Sequence, residues 1–413
     1  MKKLYSLILP VGLLLIIFGG VLFFLNFKSP TTLSAPTFWQ VQSIDAMKYS
    51  RDTARENSNN PKFDMEIDAM MANIAATGAT HVGIGTPYDK EFIPYLTRWV
   101  KSARKYGLKV WFRGNFSGWE GWFGYAKIDR QEHEKLFTSF ISDNSFLFES
   151  GDIFTACPEC ENGGPGDPRM TGDAVGFRKF LEEETNLSAK LFRAKGLAVS
   201  ANYNSMNADV AKLVMDKATT KALGGIVVID HYVATPAELS AGIHEIAKSS
   251  GGKVILGEFG APIPDLNGNL TEHEQAQWLD NAFKGLVINN DLVGVNYWVN
   301  KGGSTALWSE SDNAREAVSV ITDFYKPQIY SLSAHDQYGK PVQVKGIVSG
   351  KVYPSDKNGL LSVPYYKDGD ITVVSQNDKT QVVKMSDPNQ HYNLTFSLNY
   401  KGILSTLNTF FHP

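Results

Sequence analysis

Two glutamates and two cysteines crowd into one short stretch of this chain. Cys157, Glu159, Cys160 and Glu161 lie in the sequence IFTACPECENGG, residues 153–164. These residue types could form a redox pair, half of a metal site or a catalytic carboxyl on a loop. A zinc site would need two more ligands, and the sequence contains no second CxxC, no HxH and no HExxH. We therefore predict that the protein binds no metal and needs no cofactor.

The spacing of the two cysteines leaves two interpretations open. A thioredoxin-like CxxC should open a helix after a strand in a compact βαβ domain, whereas this pair falls within a long series of strands and helices. A disulfide between Cys157 and Cys160 that braces the loop is the alternative for a protein outside the reducing cytoplasm.

The composition is that of a globular protein. The chain has 413 residues, of which 43% are hydrophobic and 20% charged, and its net charge is −3. That length can form one large domain and a smaller one. A near-neutral balance gives no support to a nucleic-acid partner, which usually requires a basic face.

An uncharged apolar run extends from Leu4 to Phe27 and follows Lys2 and Lys3. A spanning helix needs about 20 apolar residues, and the core of a signal peptide needs only about 7–15. The run therefore predicts a single-pass membrane anchor over residues 4–27, within an anchor and linker at 1–37. The flanking lysines predict an N-terminus inside and the remainder outside the cytoplasm. Cleavage of a long signal peptide near Ser34, which would leave a secreted protein, is the alternative.

Short apolar strands alternate with helical segments over residues 38–326. The strands are predicted at 39–44, 80–85, 108–114, 151–156, 197–203, 225–232, 253–259 and 292–298. The helices are predicted near 63–77, 91–106, 130–148, 173–195, 206–222, 236–250, 271–289 and 312–325. Eight such units favour an α/β fold of the (β/α)₈ TIM-barrel type, which typically takes ~250 residues. A doubly wound open sheet is the rival, but no GxGxxG or phosphate loop follows the first strand.

The apolar pattern changes from a helical period to alternation after Pro327. Seven short strand candidates separated by Gly, Asp, Asn and Pro predict a small all-β sandwich over residues 327–413. Its turn placement resembles Ig-like and carboxypeptidase-regulatory-like modules.

In a barrel of this kind, functional side chains collect at the C-terminal ends of the strands. Aromatic faces pack against sugar rings, amides and acids bond hydroxyls, and glycoside hydrolysis needs two carboxyls. The strand ends therefore predict a poly- or oligosaccharide partner. The predicted substrate-binding residues are Arg113, Asn115, Trp119, Trp122, Asn202, Tyr203, His231, Tyr232, Asn296 and Trp298. For Trp119 and Trp122 simple loop packing is the alternative, and His231 could be an interior histidine.

The sequence GEFGAP, residues 257–262, places Glu258 near the end of an apolar strand. It resembles the strand-7 nucleophile motif of the clan A (β/α)₈ glycoside hydrolases, which include family five. The resemblance implies that Glu258 is a nucleophile and that an acid/base glutamate ends strand 4, where Glu159 and Glu161 lie. It also implies that Tyr232 lies near the nucleophile and that Trp298 is a sugar platform. The function implied is a retaining hydrolase of β-linked saccharides.

The sequence departs from the clan pattern before the acid/base residue. The clan usually has an Asn there, whose amide bonds the sugar 2-hydroxyl, whereas Pro158 precedes Glu159 and Cys160 precedes Glu161. Another amide, from Asn115, Asn162 or Asn202, would have to supply that contact. We prefer Glu159 as the acid/base, because it lies nearer the strand end and a rigid proline precedes it. A non-catalytic carbohydrate-binding barrel at the cell surface is the alternative function.

Overall fold

The computed structural model describes residues 36–365, 369–375, 377–385 and 391–397. Residues 4–27, for which a membrane anchor is predicted, lie outside the described residues. Among the residues that are described, no helix has both the length and the apolar character that a membrane span requires.

Eight parallel strands form one sheet. They are β1 (Val41–Asp45), β2 (His81–Ile84), β3 (Lys109–Phe112), β4 (Ile153–Phe154), β5 (Ser205–Asn207), β6 (Ile226–Asp230), β7 (Lys253–Phe259) and β8 (Leu292–Tyr297). Their spatial order is β4-β3-β2-β1-β8-β7-β6-β5. The edges meet where the Phe154 amide donates to the Ser200 carbonyl at 2.9 Å and the Glu159 amide donates to the Ser205 carbonyl at 2.9 Å. These hydrogen bonds close the sheet into the predicted barrel.

A helix follows each strand. These helices are α1 (Asp64–Ala76), α2 (Ile93–Lys105), α3 (Arg130–Asp143), α4 (Ala174–Ala194), α5 (Ala208–Val214), α6 (Pro236–Ser250), α7 (Glu272–Val287) and α8 (Glu316–Tyr325). Local chemistry explains several of their starts. Thr271 and Glu274 form a capping box ahead of α7, in which each side chain accepts from the other residue's backbone amide.

The predicted position of the fifth strand is wrong. Residues 197–203 form a single bridge to the sheet, between Ser200 and Ile153, and the hydrogen-bonded strand is Ser205–Asn207. An alternating apolar pattern identifies an extended segment, but pairing with β6 decides which residues join the sheet. The residue at the end of strand 5 is therefore Asn207. The helix predicted at 206–222 is also two helices, since Asp216 caps a separate one at Lys217–Ala222.

The barrel interior is a packed core. Six buried side chains fill it: Val41, Trp111, Ile153, Tyr203, Val228 and Ile255. A larger cluster lies between the strands and the surrounding helices. Because the interior is filled, a substrate can reach the barrel only at its ends, and the strand ends become the place to look for chemistry.

In the part of the chain that is described after the barrel, there are seven further strands: β9 (Gln328–Asp336), β10 (Val344–Val348), β11 (Lys351–Pro354), β12 (Leu360–Tyr365), β13 (Gly369–Ser375), β14 (Thr380–Met385) and β15 (Tyr392–Phe396). They form a four-stranded sheet, β11-β10-β13-β14, and a three-stranded sheet, β12-β9-β15, over one hydrophobic core. The resemblance of this region to Ig-like or carboxypeptidase-regulatory-like modules remains a prediction. The predicted domain boundaries also remain predictions.

Strand β11 contacts the start of the barrel through Lys351. The Lys351 ammonium donates to the Phe38 carbonyl at 2.8 Å and lies 5.1 Å from the centre of the Trp39 ring. This contact ties the all-β region to the residues that lead into β1.

Burial lowers the pKa of Lys351 to about 8, from a usual value of 10.5. Between these values the folded protein binds fewer protons than the unfolded chain, so this group adds stability as the pH rises from about 8 to about 10. We expect the melting temperature of the wild type, relative to that of Lys351→Met, to increase over this range in calorimetry. The exposed Lys357→Met is the matched control and should show no such change. A difference in melting temperature between the wild type and Lys351→Met that stays constant with pH would contradict the prediction.

Candidate active site

The side chain of Arg113, which follows β3, lies at the centre of a buried charge cluster. Its guanidinium contacts Glu258 at 2.6 Å, Asp45 at 3.1 Å and Asp230 at 3.5 Å, and its exposed fraction is 1%. Burial alone would lower the pKa of Arg113, but the charges of Asp230, Glu258 and Asp45 raise it. One cation therefore joins carboxylates from β1, β6 and β7 at the C-terminal end of the barrel.

Asn296 supports this cluster from β8. Its amide donates to Asp45 at 3.1 Å and to the Gly257 carbonyl at 2.8 Å. Because the Asn296 side chain is fully buried, it has no surface that could contact a sugar. Its role in the structure is to hold Asp45. Gly257 is required here, because a Cβ atom at that position would lie 2.4 Å from Asp230 Oδ1.

Glu258 lies near the end of β7 and retains 7% exposure. Arg113 contacts its Oε1, and the Tyr232 hydroxyl donates to its Oε2 at 2.9 Å. Burial raises the pKa of Glu258 to about 7, while Arg113 and Tyr232 lower it and the charge of Glu159 raises it. Both oxygens are thus oriented, and the charge on Glu159 acts on this carboxyl.

Glu159 projects from the loop after β4 and is half-buried. Its backbone has a left-handed conformation, with φ of 44°, and a disulfide joins the flanking Cys157 and Cys160. Burial and the charge of Glu161 raise the pKa of Glu159, and Arg113 opposes that shift. Since such a backbone conformation is costly for a residue other than glycine, the disulfide and the Ser205 contact must hold it.

Glu161 has a different environment from its neighbour. It is 2% exposed, and its Oε1 accepts the Asn207 backbone amide at 2.6 Å and the Asn207 side-chain amide at 3.0 Å. Burial raises the pKa of Glu161, and these hydrogen bonds lower it. Glu161 therefore connects the β4 loop to the end of β5.

The cysteine sulfurs and a carboxylate oxygen of Glu184 lie within 4.8 Å of one another. Such a group resembles a partial metal site. Because the sulfurs are joined in a disulfide, they provide no thiolate ligands. The bracing interpretation of CPEC is the one that the geometry favours.

Three aromatic rings remain partly exposed at the strand ends. The Tyr232 and Trp298 rings meet edge to face, with centroids 6.1 Å apart. Trp122 lies beneath the Arg51 guanidinium, 5.0 Å from the ring centre. These half-buried rings can present faces to a ligand.

Trp119 and Asn115 are buried behind the site. The Trp119 ring stacks on Phe180 with centroids 5.3 Å apart, and a Cβ atom at Gly164 would lie 2.3 Å from the ring. Asn115 is fully buried and donates to Glu120. The geometry thus favours loop packing for Trp119 and an internal role for Asn115.

The charge cluster around Arg113 does not include Asn202, Tyr203 or His231. Asn202 donates to the Leu223 carbonyl, which precedes β6, and Tyr203 lies in the barrel interior. Because the sequence predicts strand 5 at 197–203 and not at Ser205–Asn207, its prediction that Asn202 and Tyr203 lie at the strand end is wrong. Alternation along β6 directs Asp230 inward and His231 outward, where its ring packs on Gly242 of α6.

The sequence predicts no catalytic or binding role for four residues that the structure places at the site: Asp45, Glu120, Asn207 and Asp230. Asp45 and Asp230 end β1 and β6, so the strand-end rule contained the signal for both. Asn207 could not be found while strand 5 was misplaced. Glu120 lies between Trp119 and Trp122 in the segment after β3, so the same rule contained the signal for it.

Comparison with solved structures finds similar folds. The GH5_18 enzyme of Bifidobacterium longum subsp. longum superposes with a TM-score of 0.52 at 17% identity, over 73% of this chain and 85% of that one. A variant of it in complex with Manβ1-4GlcNAc gives a TM-score of 0.53 at 14% identity, over 73% and 84%. GH5_18 of Streptomyces cattleya in complex with GlcNAc gives 0.51 at 14% identity, over 73% and 85%.

No protein-family model matches the chain, and no curated protein matches it. At identities of 14–17% the likeness establishes the fold alone. The chain thus has the (β/α)₈ fold of these family-five structures.

The buried cation leads to a stability prediction. Arg113→Met should lower the free energy of unfolding by about 3–5 kcal/mol, because it leaves Asp45, Asp230 and Glu258 buried without their counter-ion. Urea denaturation at neutral pH measures this change. The exposed Arg193→Met in α4 is the matched control and should change stability by less than about 0.5 kcal/mol. Equal stabilities of the two variants would refute the role of the cluster.

Proposed function

We propose that this protein is a membrane-anchored, extracytoplasmic glycoside hydrolase that cleaves β-linked poly- or oligosaccharides with retention of configuration. The observation that carries the proposal is the oriented carboxyl of Glu258 at the C-terminal end of β7, with a second glutamate, Glu159, on the loop that follows β4. Glu258 is buried and oriented, and the charge of Glu159 on the β4 loop acts on it.

Glu258 would act as the nucleophile. Arg113 and Tyr232 contact its two oxygens and favour the ionised form, which is the form that attacks the anomeric carbon. A covalent glycosyl-enzyme would result, and water would later hydrolyse it. Two carboxyls suffice for this chemistry, so the proposal requires no cofactor.

Glu159 would act as the acid/base. Burial and the neighbouring Glu161 favour its protonated form, which can donate to the leaving oxygen. Glu159 would then remove a proton from water in the second step. Its partial exposure suits this exchange, whereas Glu161 is buried and hydrogen-bonded to Asn207.

The aromatic rings support a sugar as the ligand. Tyr232 and Trp298 meet beside Glu258, and Trp122 is half-buried on the β3 loop. The Bifidobacterium longum protein, which shares the fold, was solved with Manβ1-4GlcNAc, a β-linked disaccharide. We infer the substrate class, a β-linked saccharide, from these features together.

The proposed location rests on the sequence. The apolar run at 4–27 supports an anchor, and the Cys157–Cys160 disulfide is compatible with an oxidising compartment. Cleavage of the N-terminus would give a secreted form of the same enzyme.

A non-catalytic binding barrel has less support. Such a protein needs aromatic and polar contacts but no pair of interacting carboxyls. Arg113 and Tyr232 hold both oxygens of Glu258 at the barrel mouth, and an oriented carboxyl of this kind favours hydrolysis.

Removing the proposed nucleophile should abolish turnover. We expect Glu258→Gln to lower kcat by about 10⁴-fold or more on a panel of dinitrophenyl β-glycosides, with unchanged circular dichroism. A 2-deoxy-2-fluoroglycoside should add one sugar to the wild type, seen by intact mass, and none to Glu258→Gln. The exposed Glu272→Gln serves as control and should behave as the wild type. Hydrolysis retained by Glu258→Gln would refute the assignment.

Removing the proposed acid/base should give a different kinetic signature. Glu159→Ala should lose about 10²–10⁴-fold on saccharides with poor leaving groups and much less on dinitrophenyl glycosides, which need no proton donor. Azide should restore its turnover and yield a β-glycosyl azide. If Glu161→Ala shows this signature and Glu159→Ala does not, the roles of the two glutamates are exchanged.

A further inference from the structure

A cavity of about 300 Å³ lies where strand β11 meets the strand starts of the barrel. It is lined by residues 37–40, which lead into β1, by the starts of β7 and β8, and by residues 350–353 of the β10–β11 hairpin. Lys253 begins β7 and lies five residues before Glu258. At about 3.3 Å per residue, the cavity is therefore about 16 Å from the proposed nucleophile, at the opposite end of the barrel.

The turn between β10 and β11 packs closely on the barrel and forms one wall of the cavity. Gly350 has a φ of 72°, and a Cβ atom at that position would lie 2.3 Å from the side-chain amide of Asn290. The turn needs glycine both for its left-handed backbone and for this close approach. Further along β11, the Tyr353 hydroxyl lies 3.4 Å from the Thr37 carbonyl. The cavity is thus formed by specific packing of the all-β region against the barrel.

Lys351 places an ammonium group in this cavity without a counter-ion. The group donates to the Phe38 carbonyl at 2.8 Å and lies 5.1 Å from the centre of the Trp39 ring, and both partners are neutral. Burial lowers the pKa of Lys351 to about 8, and no neighbouring charge opposes that shift. A partly desolvated cation of this kind gains stability when an anion binds beside it.

Lys253 adds a second ammonium group at the edge of the same cavity. It is exposed and donates to the Asn290 carbonyl at 2.9 Å. Asp291, the acid nearest to it, lies 3.7 Å away and does not line the cavity. None of the described residues that line the cavity carries a carboxylate. The cavity therefore has an excess of positive charge.

The donors of the cavity fit a phosphate group better than a carboxylate. A carboxylate is matched best by the planar fork of arginine, and none of the described lining residues is an arginine. Lysine instead presents a compact charge with three rotatable donors. A phosphate monoester carries about −1.5 to −2 charge at pH 7 and three acceptor oxygens. One such group can therefore accept from two ammonium groups.

We propose that the cavity between β11 and the strand starts of the barrel binds a phosphate group, held by the ammonium groups of Lys351 and Lys253. Free phosphate and the phosphate monoester of a sugar share this chemistry. The site is separate from the proposed hydrolysis, because none of its lining residues belongs to the candidate active site. Binding also joins the all-β region to the barrel, since each contributes one lysine.

Calorimetric titration of the full chain tests the site. Inorganic phosphate is added at pH 7.5, and chloride keeps the ionic strength constant. The wild type should bind one phosphate. Lys351→Met should weaken binding about tenfold or more, because a partly desolvated charged donor is lost. The exposed Lys253→Met should weaken it about two- to fivefold. The exposed Lys357→Met is the matched control and should bind as the wild type does.

Lysine titration by NMR gives a second readout, which requires only the folded wild type once signals are assigned with Lys351→Arg. The full chain carries ¹³Cε-lysine. Phosphate should raise the titration midpoint of Lys351 by about 0.5–1 pH unit, a three- to tenfold change in its proton affinity, because a bound anion favours the charged form. The charged groups near the cavity, Lys253 and Asp291, are the same with and without phosphate. Lys357 should show no shift.

Glucose 6-phosphate and glucose identify the source of the phosphate group. Tighter binding of glucose 6-phosphate than of inorganic phosphate would support a sugar ester, equal binding would support free phosphate, and glucose alone should not bind. The proposal is overturned if neither phosphate binds the wild type, if acetate binds as tightly as phosphate, or if phosphate leaves the Lys351 midpoint unchanged. Equal affinities of Lys253→Met and Lys357→Met would also overturn it, and this pair decides the matter even where Lys351→Met fails to fold.

Discussion

The geometry of the barrel mouth depends on one buried guanidinium. Arg113 joins Asp45, Asp230 and Glu258, which come from three different strands and are distant in sequence. In a water-excluded site, carboxylates without a counter-ion would repel one another and bear a large desolvation cost. The cation therefore makes the cluster possible, and the cluster in turn determines the direction of Glu258.

The opposite wall is held by covalent and backbone constraints. The disulfide closes a four-residue turn around Glu159, and hydrogen bonds from Asn207 fix Glu161. Two glutamates in nearly adjacent positions consequently have different environments: Glu161 is buried and bonded at one oxygen, and Glu159 is partly open to solvent. The division of roles between them follows from this difference.

A hydrolase of this kind needs its two carboxyls in different protonation states. Burial raises the pKa of both carboxyls; Arg113 and Tyr232 oppose that shift at Glu258, whereas the charge of Glu161 adds to it at Glu159. The guanidinium of Arg113 lies on the side of Glu258, and the second carboxyl of Glu161 lies on the side of Glu159.

The sequence alone determined the eight strand–helix units, the change to alternating strands after Pro327, and Glu258 and Glu159 as strand-end carboxyls. Those features depend on local periodicity and on the rule that barrel chemistry lies at strand ends. Tertiary structure decided the true position of strand 5, the burial of Trp119 and Asn115, the outward direction of His231 and the gathering of Asp45 and Asp230 around Arg113. Register, burial and ion pairing arise between segments that are far apart in the chain, and no local pattern records them.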